Sequence, residues 1–427
     1  MSRAVAIALA AVAGLVSGAL TMVSLPAPAS HEPDASTGPG PPEDAGSLAT
    51  DAPEGRAETD ALDDMVEPAP PASDDLLLVW TALRLPDDLD DVVRSLPGVE
   101  AVTTVAGGRL DLTGSVTADG AAVDVLEPGW AIPLDALAIE PDLYAGFLPV
   151  ADQHAVAGLD DGDALVGATS AQLRGLQAGD TLTLTGGRQI TIHAVVDDTL
   201  VGAAEVVVTR TDAVLLGIDT DRFLLVAHTG DRAELESAIR RSTDVEIRVR
   251  GPGETPYLRH GDAVLPQALV KAAFGEFAYR PDRSAAEFEQ AREWQEANLT
   301  TADVPILGRV RCHRGIIKQL RGALGELDDR GLAHLVDPDG YAGCHHPRLI
   351  TPGGGVSRHA WGIAVDLNAD TNPTGQSSSQ DRRLVDVLAR WGFTWGGAWL
   401  VPDPMHIEYL GHPDPRAAKI TTPLKGG

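Results

Sequence analysis

Two short stretches near the C-terminus constrain this chain more than anything else in it. The first, Gly353-Gly-Gly-Val-Ser-Arg-His-Ala-Trp-Gly-Ile-Ala-Val-Asp366, holds an imidazole, His359, and a carboxylate seven residues later. The second, Asp403-Pro-Met-His-Ile-Glu408, holds another imidazole with a carboxylate on either side. Alternation from Gly362 to Leu367 turns Ile363, Val365 and Leu367 one way and Ala364 and Asp366 the other, so Asp366 has only small neighbours on its face. His406 and Glu408 likewise share one face of a short strand, His406 to Tyr409, entered from the proline-bounded turn Val401-Pro-Asp-Pro404.

A hydrolytic zinc ion needs about three His or carboxylate ligands, a fourth position open to water, and a nearby carboxylate to take a proton. His359, Asp366 and His406 are therefore the candidate ligands and Asp403 the candidate base. Glu408 would orient a ligand ring or hold a substrate amine. Satisfied polar surface groups are the competing reading; it accounts for any one of these residues but not for their combination. The pattern Ser-x-His-x-x-Gly-x-Ala-x-Asp, Ser357 to Asp366, followed by Asp-x-x-His-x-Glu, resembles the zinc D-alanyl-D-alanine carboxypeptidases and L-alanyl-D-glutamate endopeptidases that cut peptidoglycan stem peptides. These are relatives of the vancomycin-resistance D,D-peptidases, and Trp395-Gly-Gly-Ala-Trp399 is similar to their endopeptidase and phage-endolysin branch.

The resemblance runs from about Asn298 to Leu410, and it implies roles for further residues. Arg348 matches the substrate-binding arginine, which stabilises charge developing on the attacked oxygen or grips a substrate carboxylate bidentately. Ser357 matches a second substrate contact; Trp361, Trp395 and Trp399 are candidates to wall the cleft, with core packing the expected role of at least one of them. In that family the proton acceptor is Glu or Asp, so Asp403 is no departure. His345 and His346 stand outside a ligand set that is already complete.

The start of the chain differs from its end. Arg3 precedes an apolar run from Ala4 to Leu25, longer than a typical signal core of about 7–15 residues and near the ~20 that span a bilayer. Residues 1–25 read as a signal peptide or signal anchor, with Ala27-Pro-Ala29 as a cleavage site if it is removed. Residues 26–74 are Pro, Ala, Gly and acids with one base, Arg56, and no aromatic, a composition too poor in apolar area to offset ordering entropy. An acidic, disordered tether is expected there. The formal net charge is −29, yet from Thr255 onward 19 Lys and Arg nearly balance 20 Asp and Glu. No basic patch exists, and the acidic first half repels phosphates, which argues against nucleic-acid partners.

Residues 75–254 read as an extracytoplasmic α+β spacer or interaction domain, able to contact an envelope partner. Leu76 to Trp80, Asp87 to Leu96 and Val99 to Val105 give strand, helix, strand, and Phe223 to Ala227, Arg232 to Arg241 and Val245 to Val249 repeat that order. Two such units indicate a ferredoxin-like arrangement. Between them lies a β-rich insertion with a hairpin signal at Gly186-Gly187. The run from Ala164 to Asp180 is similar to the extracytoplasmic core domain of macrolide-exporter-type ABC permeases, whose membrane helices are missing here.

Residues 255–427 form the expected peptidase domain, with an amphipathic helix from Leu265 to Phe277, a core helix from Ile316 to Leu327 and a coil after Leu410. The chain's two cysteines, Cys312 and Cys344, both fall in it; outside the cytoplasm a disulfide is the economical reading and a cysteine metal site the rival. The fold class expected is α+β: a zinc peptidase domain with a small antiparallel sheet and flanking helices, preceded by the ferredoxin-like domain, the tether and an N-terminal hydrophobic helix. The function expected is cleavage of peptidoglycan stem peptides, in a chain secreted or anchored through its first residues alone. A non-catalytic zinc-containing wall-binding module and a transporter-associated adaptor are the alternatives.

Overall fold

The computed structural model describes residues 75–411 apart from 83, 219, 255, 256, 264, 283, 352 and 353; the hydrophobic N-terminal segment, the tether and the C-terminal coil lie outside the described residues. The chain is α+β. Its strands are β1 (Leu76–Trp80), β2 (Val99–Val116), β3 (Ala122–Val125), β4 (Ile132–Ile139), β5 (Asp163–Gly167), β6 (Thr181–Leu184), β7 (Gln189–Val196), β8 (Val206–Thr209), β9 (Asp221–His228) and β10 (Arg248–Arg250). β11 (Tyr279–Arg280), β12 (Glu289–Gln290), β13 (Leu299–Val304), β14 (Gly308–His313), β15 (Ala364–Asp366), β16 (Phe393–Trp395) and β17 (His406–Tyr409) follow.

Among the described residues, β1 to β10 form one sheet. Its first part has the order β10-β1-β9-β2, all antiparallel, which is the ferredoxin-like arrangement. Helices Leu89–Arg94 and Arg232–Arg241 supply Leu89, Val93, Leu235 and Ile239 to the core over it. β2 runs on well past Val105, where the alternation predicts its end, because its second half serves another structure. From Ala106 onward it pairs with β4 and with β6, and β4-β8-β5-β7-β6 completes a closed ring. Closure removes the free edges that such short strands would otherwise expose. Leu110, Leu112, Leu134, Leu182, Ile190 and Val206 pack together in this part. The Gly186-Gly187 hairpin joins β6 to β7, with both glycines at positive φ (87° and 77°) as the tight turn requires.

The C-terminal part packs around helix Ile317–Asp329, which buries Ile317, Leu320, Ala323, Leu324 and Leu327 at the expected helical spacing. Helix Arg382–Arg390 and the hairpin of β13 and β14 flank it. The Leu265 to Phe277 helix is shorter, Gln267–Phe274, and the polar side of its amphipathic pattern does not face water: Gln267 and Lys271 are buried along with Leu269, Val270 and Phe274. The reason is tertiary. Lys271 Nζ lies 2.7 Å from Glu205 Oε1 and 2.9 Å from Glu276 Oε2, and Gln267 Nε2 donates to Glu205 Oε2 at 2.8 Å. Polar residues on that face meet Glu205, just ahead of β8, and Glu276, just past the helix, rather than water, as buried charge requires. Cys312 and Cys344 form the expected disulfide, with Cα atoms 5.4 Å apart. No helix among the described residues is long and apolar enough to cross a membrane.

Candidate metal centre

β17 is the central strand of a three-stranded sheet, between β15 and β16. Antiparallel register sets Asp366 opposite His406 and Ala364 opposite Glu408, so the acid and the imidazole stand side by side on one face. His359 arrives from a separate element, the 3-10 helix Arg358–Trp361. Ser357 caps that helix, its Oγ accepting from the His359 N–H at 3.3 Å. Gly362 ends it in the left-handed region (φ 66°), where a Cβ would lie 2.8 Å from the His313 nitrogen. Only glycine fits there.

Three ligand atoms converge. His359 Nε2 is 3.1 Å from Asp366 Oδ1 and 3.2 Å from His406 Nδ1, and His406 Nδ1 is 3.2 Å from Asp366 Oδ1. A tetrahedral ion with bonds of about 2.0–2.1 Å places its ligand atoms roughly 3.3 Å apart. Proton positions make the point sharper. The other nitrogen of each ring faces an oxygen: His359 Nδ1 donates to the Cys344 carbonyl at 2.8 Å and His406 Nε2 to Glu408 Oε2 at 3.4 Å. Both nitrogens that face Asp366 are then bare lone pairs. Three buried ligand atoms turned on one another in this way could hold a cation between them.

Charges at the site agree. Burial alone would raise the Asp366 carboxyl, but its bonds to His359 and His406 hold it well below the usual carboxylate range. Burial would lower His406, yet its bonds to Asp366 and Glu408 push it up to about 9. A proton on His406 is thus the occupant that competes with a metal ion.

The other residues singled out from the sequence are held as follows. Asp403 is half-buried; its carbonyl accepts from the His406 N–H at 3.1 Å and its own N–H donates to Gly396 O at 3.0 Å. The Trp399 ring lies 5.2 Å from the His406 ring, whereas Trp361 is fully buried in the core and Trp395 donates to the Pro404 carbonyl at 2.7 Å. Arg348 and Ser357 are brought together by the Ser357 N–H to Arg348 O bond (3.0 Å) and the adjoining Leu349–Val356 bridge. His345 pairs with Gln290 and His346 with Glu287, away from the ligand group.

Two contributors escape sequence reading. Thr374 Oγ1 donates to Asp403 Oδ1 at 2.8 Å, although it sits in a featureless polar run, Asn372 to Gln380, and 29 residues away. The backbone carbonyl of Cys344 orients His359, and a carbonyl leaves no mark in a sequence. The disulfide ties that same residue to β14, so it also steadies the carbonyl.

Residues 351–409 match the family model described as D-alanyl-D-alanine carboxypeptidase, a segment that holds His359, Asp366, Asp403, His406 and Glu408 but is well under half the chain. No curated protein matches the chain. The periplasmic region of MacB from Actinobacillus actinomycetemcomitans is similar at 7% identity over 42% of this chain and 88% of that one, with a TM-score of 0.29. The extracellular domain of the noncanonic ABC-type transporter YknZ from Gram-positive bacteria is similar at 11% identity over 41% of this chain and 100% of that one, with a TM-score of 0.27. Scores this low carry no argument about function. The segment that carries the metal-ligand motif is thus the one similar to a D-alanyl-D-alanine carboxypeptidase model.

Proposed function

We propose that this chain is a zinc-dependent peptidase of the cell envelope that hydrolyses peptidoglycan stem peptides. Residues 255–427 form its peptidase domain and residues 75–254 an extracytoplasmic module able to contact an envelope partner, with membrane contact confined to the N-terminal segment. The observation that carries this reading is the convergence of two bare imidazole nitrogens and one carboxylate oxygen beside a separately held acid, inside the segment that matches the carboxypeptidase model.

His359, Asp366 and His406 would hold the zinc, which would supply the Lewis acidity that makes water nucleophilic at neutral pH. Asp403 would take the proton of the attacking water and return it to the leaving amine, one group serving as base and then as acid. Thr374 holds the Asp403 carboxylate in place by donating to one oxygen and leaving the other for the proton. Glu408 and the Cys344 carbonyl keep both ligand rings in the tautomer that binds a cation. Arg348 holds a substrate carboxylate or meets the charge that develops on the attacked carbonyl, Ser357 contacts the peptide beside it, and Trp399 covers the His406 side.

Two bonds compete as the target, L-Ala–D-Glu and the terminal D-Ala–D-Ala. The Trp-Gly-Gly-Ala-Trp run favours the first. Mass spectrometry of muropeptides and synthetic stem peptides incubated with the full chain, chelated and zinc-restored, beside Asp403→Ala, tests both. Zinc-dependent release of L-Ala marks the endopeptidase and loss of terminal D-Ala the carboxypeptidase. Intact peptides in every condition, with zinc bound, would overturn the peptidase reading in favour of a zinc-containing binding module.

A further inference from the structure

Both loops assigned to the peptide cleft are fastened to the large sheet that precedes the peptidase part. The first runs from Leu349 to Val356, with Arg348 and Ser357 at its feet, and includes the glycine-rich stretch Thr351-Pro-Gly-Gly-Gly355. Glycine has more backbone freedom to lose on ordering than any other residue. Beside the loop's own Ile350 N–H to Gly355 O bond at 2.9 Å, Arg109 of β2 holds Gly354, its Nη1 donating to the Gly354 carbonyl at 2.7 Å. The Arg109 side chain is 5% exposed, and its Nε donates to Asp111 Oδ1 at 3.1 Å. Asp111 also accepts from the Tyr279 hydroxyl, and the guanidinium lies over the Tyr279 ring at 5.7 Å. A buried guanidinium pinned in this way is a rigid, charge-assisted donor.

The second loop, from Gly396 to Asp403, carries Trp399 and Asp403. Leu400 at its centre packs in the cluster formed by Leu76, Leu78, Trp80 and Leu225 of the ferredoxin-like part, not in the peptidase core. The Leu400 N–H donates to Asp262 Oδ2 at 2.5 Å, and Asp262 is gripped by Arg248 and Arg250 of β10. Arg248 Nη2 also reaches the Ala398 carbonyl at 3.3 Å. The anchors are thus independent of each other, one polar on β2 and one largely apolar against β1 and β9.

We infer that the large sheet sets both walls of the peptide cleft, with Arg109 and Leu400 as positioning residues for peptide binding. This rests on the peptidase reading above. With Arg109 in place Gly354 and the return to Ser357 are held before the peptide arrives; without it, binding must order that backbone, and the loss falls on KM rather than on kcat.

The test uses the full chain. Arg109→Met with Asp111→Asn removes the guanidinium without stranding a buried carboxylate, and Arg109→Lys keeps the charge while losing the fork that reaches Asp111 and Gly354 together. Hydrogen exchange at the Ile350 and Ser357 amides should quicken roughly tenfold or more, with β15 and β17 unchanged. KM for a stem peptide should rise roughly tenfold with kcat within about twofold. Leu400→Ala should instead quicken exchange at the Trp399 and Asp403 amides. A purely structural role would quicken exchange throughout and leave KM alone. Unaltered exchange in the two loops of folded variants overturns the inference, as does an unaltered KM. Should the double variant fail to fold, Arg109→Lys decides by the same readouts. If the wild-type chain cleaves no stem peptide, the peptidase reading fails, and the exchange result still decides whether the sheet orders these loops.

Discussion

Lys271 Nζ lies 2.7 Å from Glu205 Oε1, and solvent reaches neither side chain. Their elements belong to the peptidase part and to the large sheet respectively, so this ion pair fastens one to the other. Lys271 also meets Glu276 at 2.9 Å, and Glu205 also takes Gln267 and lies 3.5 Å from Arg174, so the pair is the centre of a buried network. Glu205→Gln keeps a polar partner for Lys271 and Gln267 and should lower the unfolding free energy by roughly 1–3 kcal/mol in urea titration, whereas Lys271→Met leaves the Glu205 carboxylate with Arg174 as its remaining cation and should cost more. Residues 255–427 expressed alone lack Glu205 and should aggregate or unfold; a soluble, cooperatively melting fragment would contradict this.

Glu408 acts on the metal through His406. Its carboxylate accepts from Nε2 and keeps Nδ1 bare for a cation. Glu408→Gln weakens that acceptor, and zinc affinity measured by chelator competition should fall roughly tenfold or more.

Asp403 stands apart from the ligands. Asp403→Ala should reduce kcat by roughly a hundredfold to ten-thousandfold with zinc still bound stoichiometrically. Thr374→Val, which frees the carboxylate to rotate, should lower kcat several-fold at constant KM, and Thr374→Ser should restore it. An active Asp403→Ala enzyme would remove this residue from the mechanism.

The disulfide closes a loop with a sequence separation of 32. Opening it by Cys312→Ser with Cys344→Ser should cost roughly 3–4 kcal/mol by loop entropy. Because Cys344 also carries the carbonyl that orients His359, zinc affinity should fall in the same variant, and a stability loss with zinc affinity intact would separate the two roles.

His313 makes the fold acid-sensitive. Burial pushes its pKa down to about 4, and its Nδ1 accepts from the Gly315 N–H, so the native state holds the neutral ring. The unfolded chain takes up a proton near the ordinary value of about 6.5. Between these values the unfolded state binds more protons, so stability falls as pH drops through the window, by at most about 1.4 kcal/mol per unit. His313→Gln should flatten that part of the pH–stability curve.

The sequence by itself determined the local pieces. Alternation set the faces of β15 and β17, helical spacing set the buried stripe of Ile317–Asp329, and the two β-α-β runs led to the ferredoxin-like order. The metal-ligand candidates were also legible, because His359, Asp366 and His406 lie in motifs whose residue types and intervals are themselves the chemical requirement. Tertiary structure alone decided the rest. Helix Gln267–Phe274 has an ordinary amphipathic pattern, and only the acids that meet Lys271 and Gln267 turn its polar face into an interior one. β2 outruns its alternation because its second half closes a ring by pairing with β4 and with the distant β6, where Leu112 stands opposite Leu184. Thr374, the Cys344 carbonyl, Arg109 and Leu400 reach the site from unpatterned polar runs, from backbone, or from another part of the chain. Periodicity reports what a residue does within its own element; a contact made across the fold depends on which elements pack together, and that is settled by the burial of the whole.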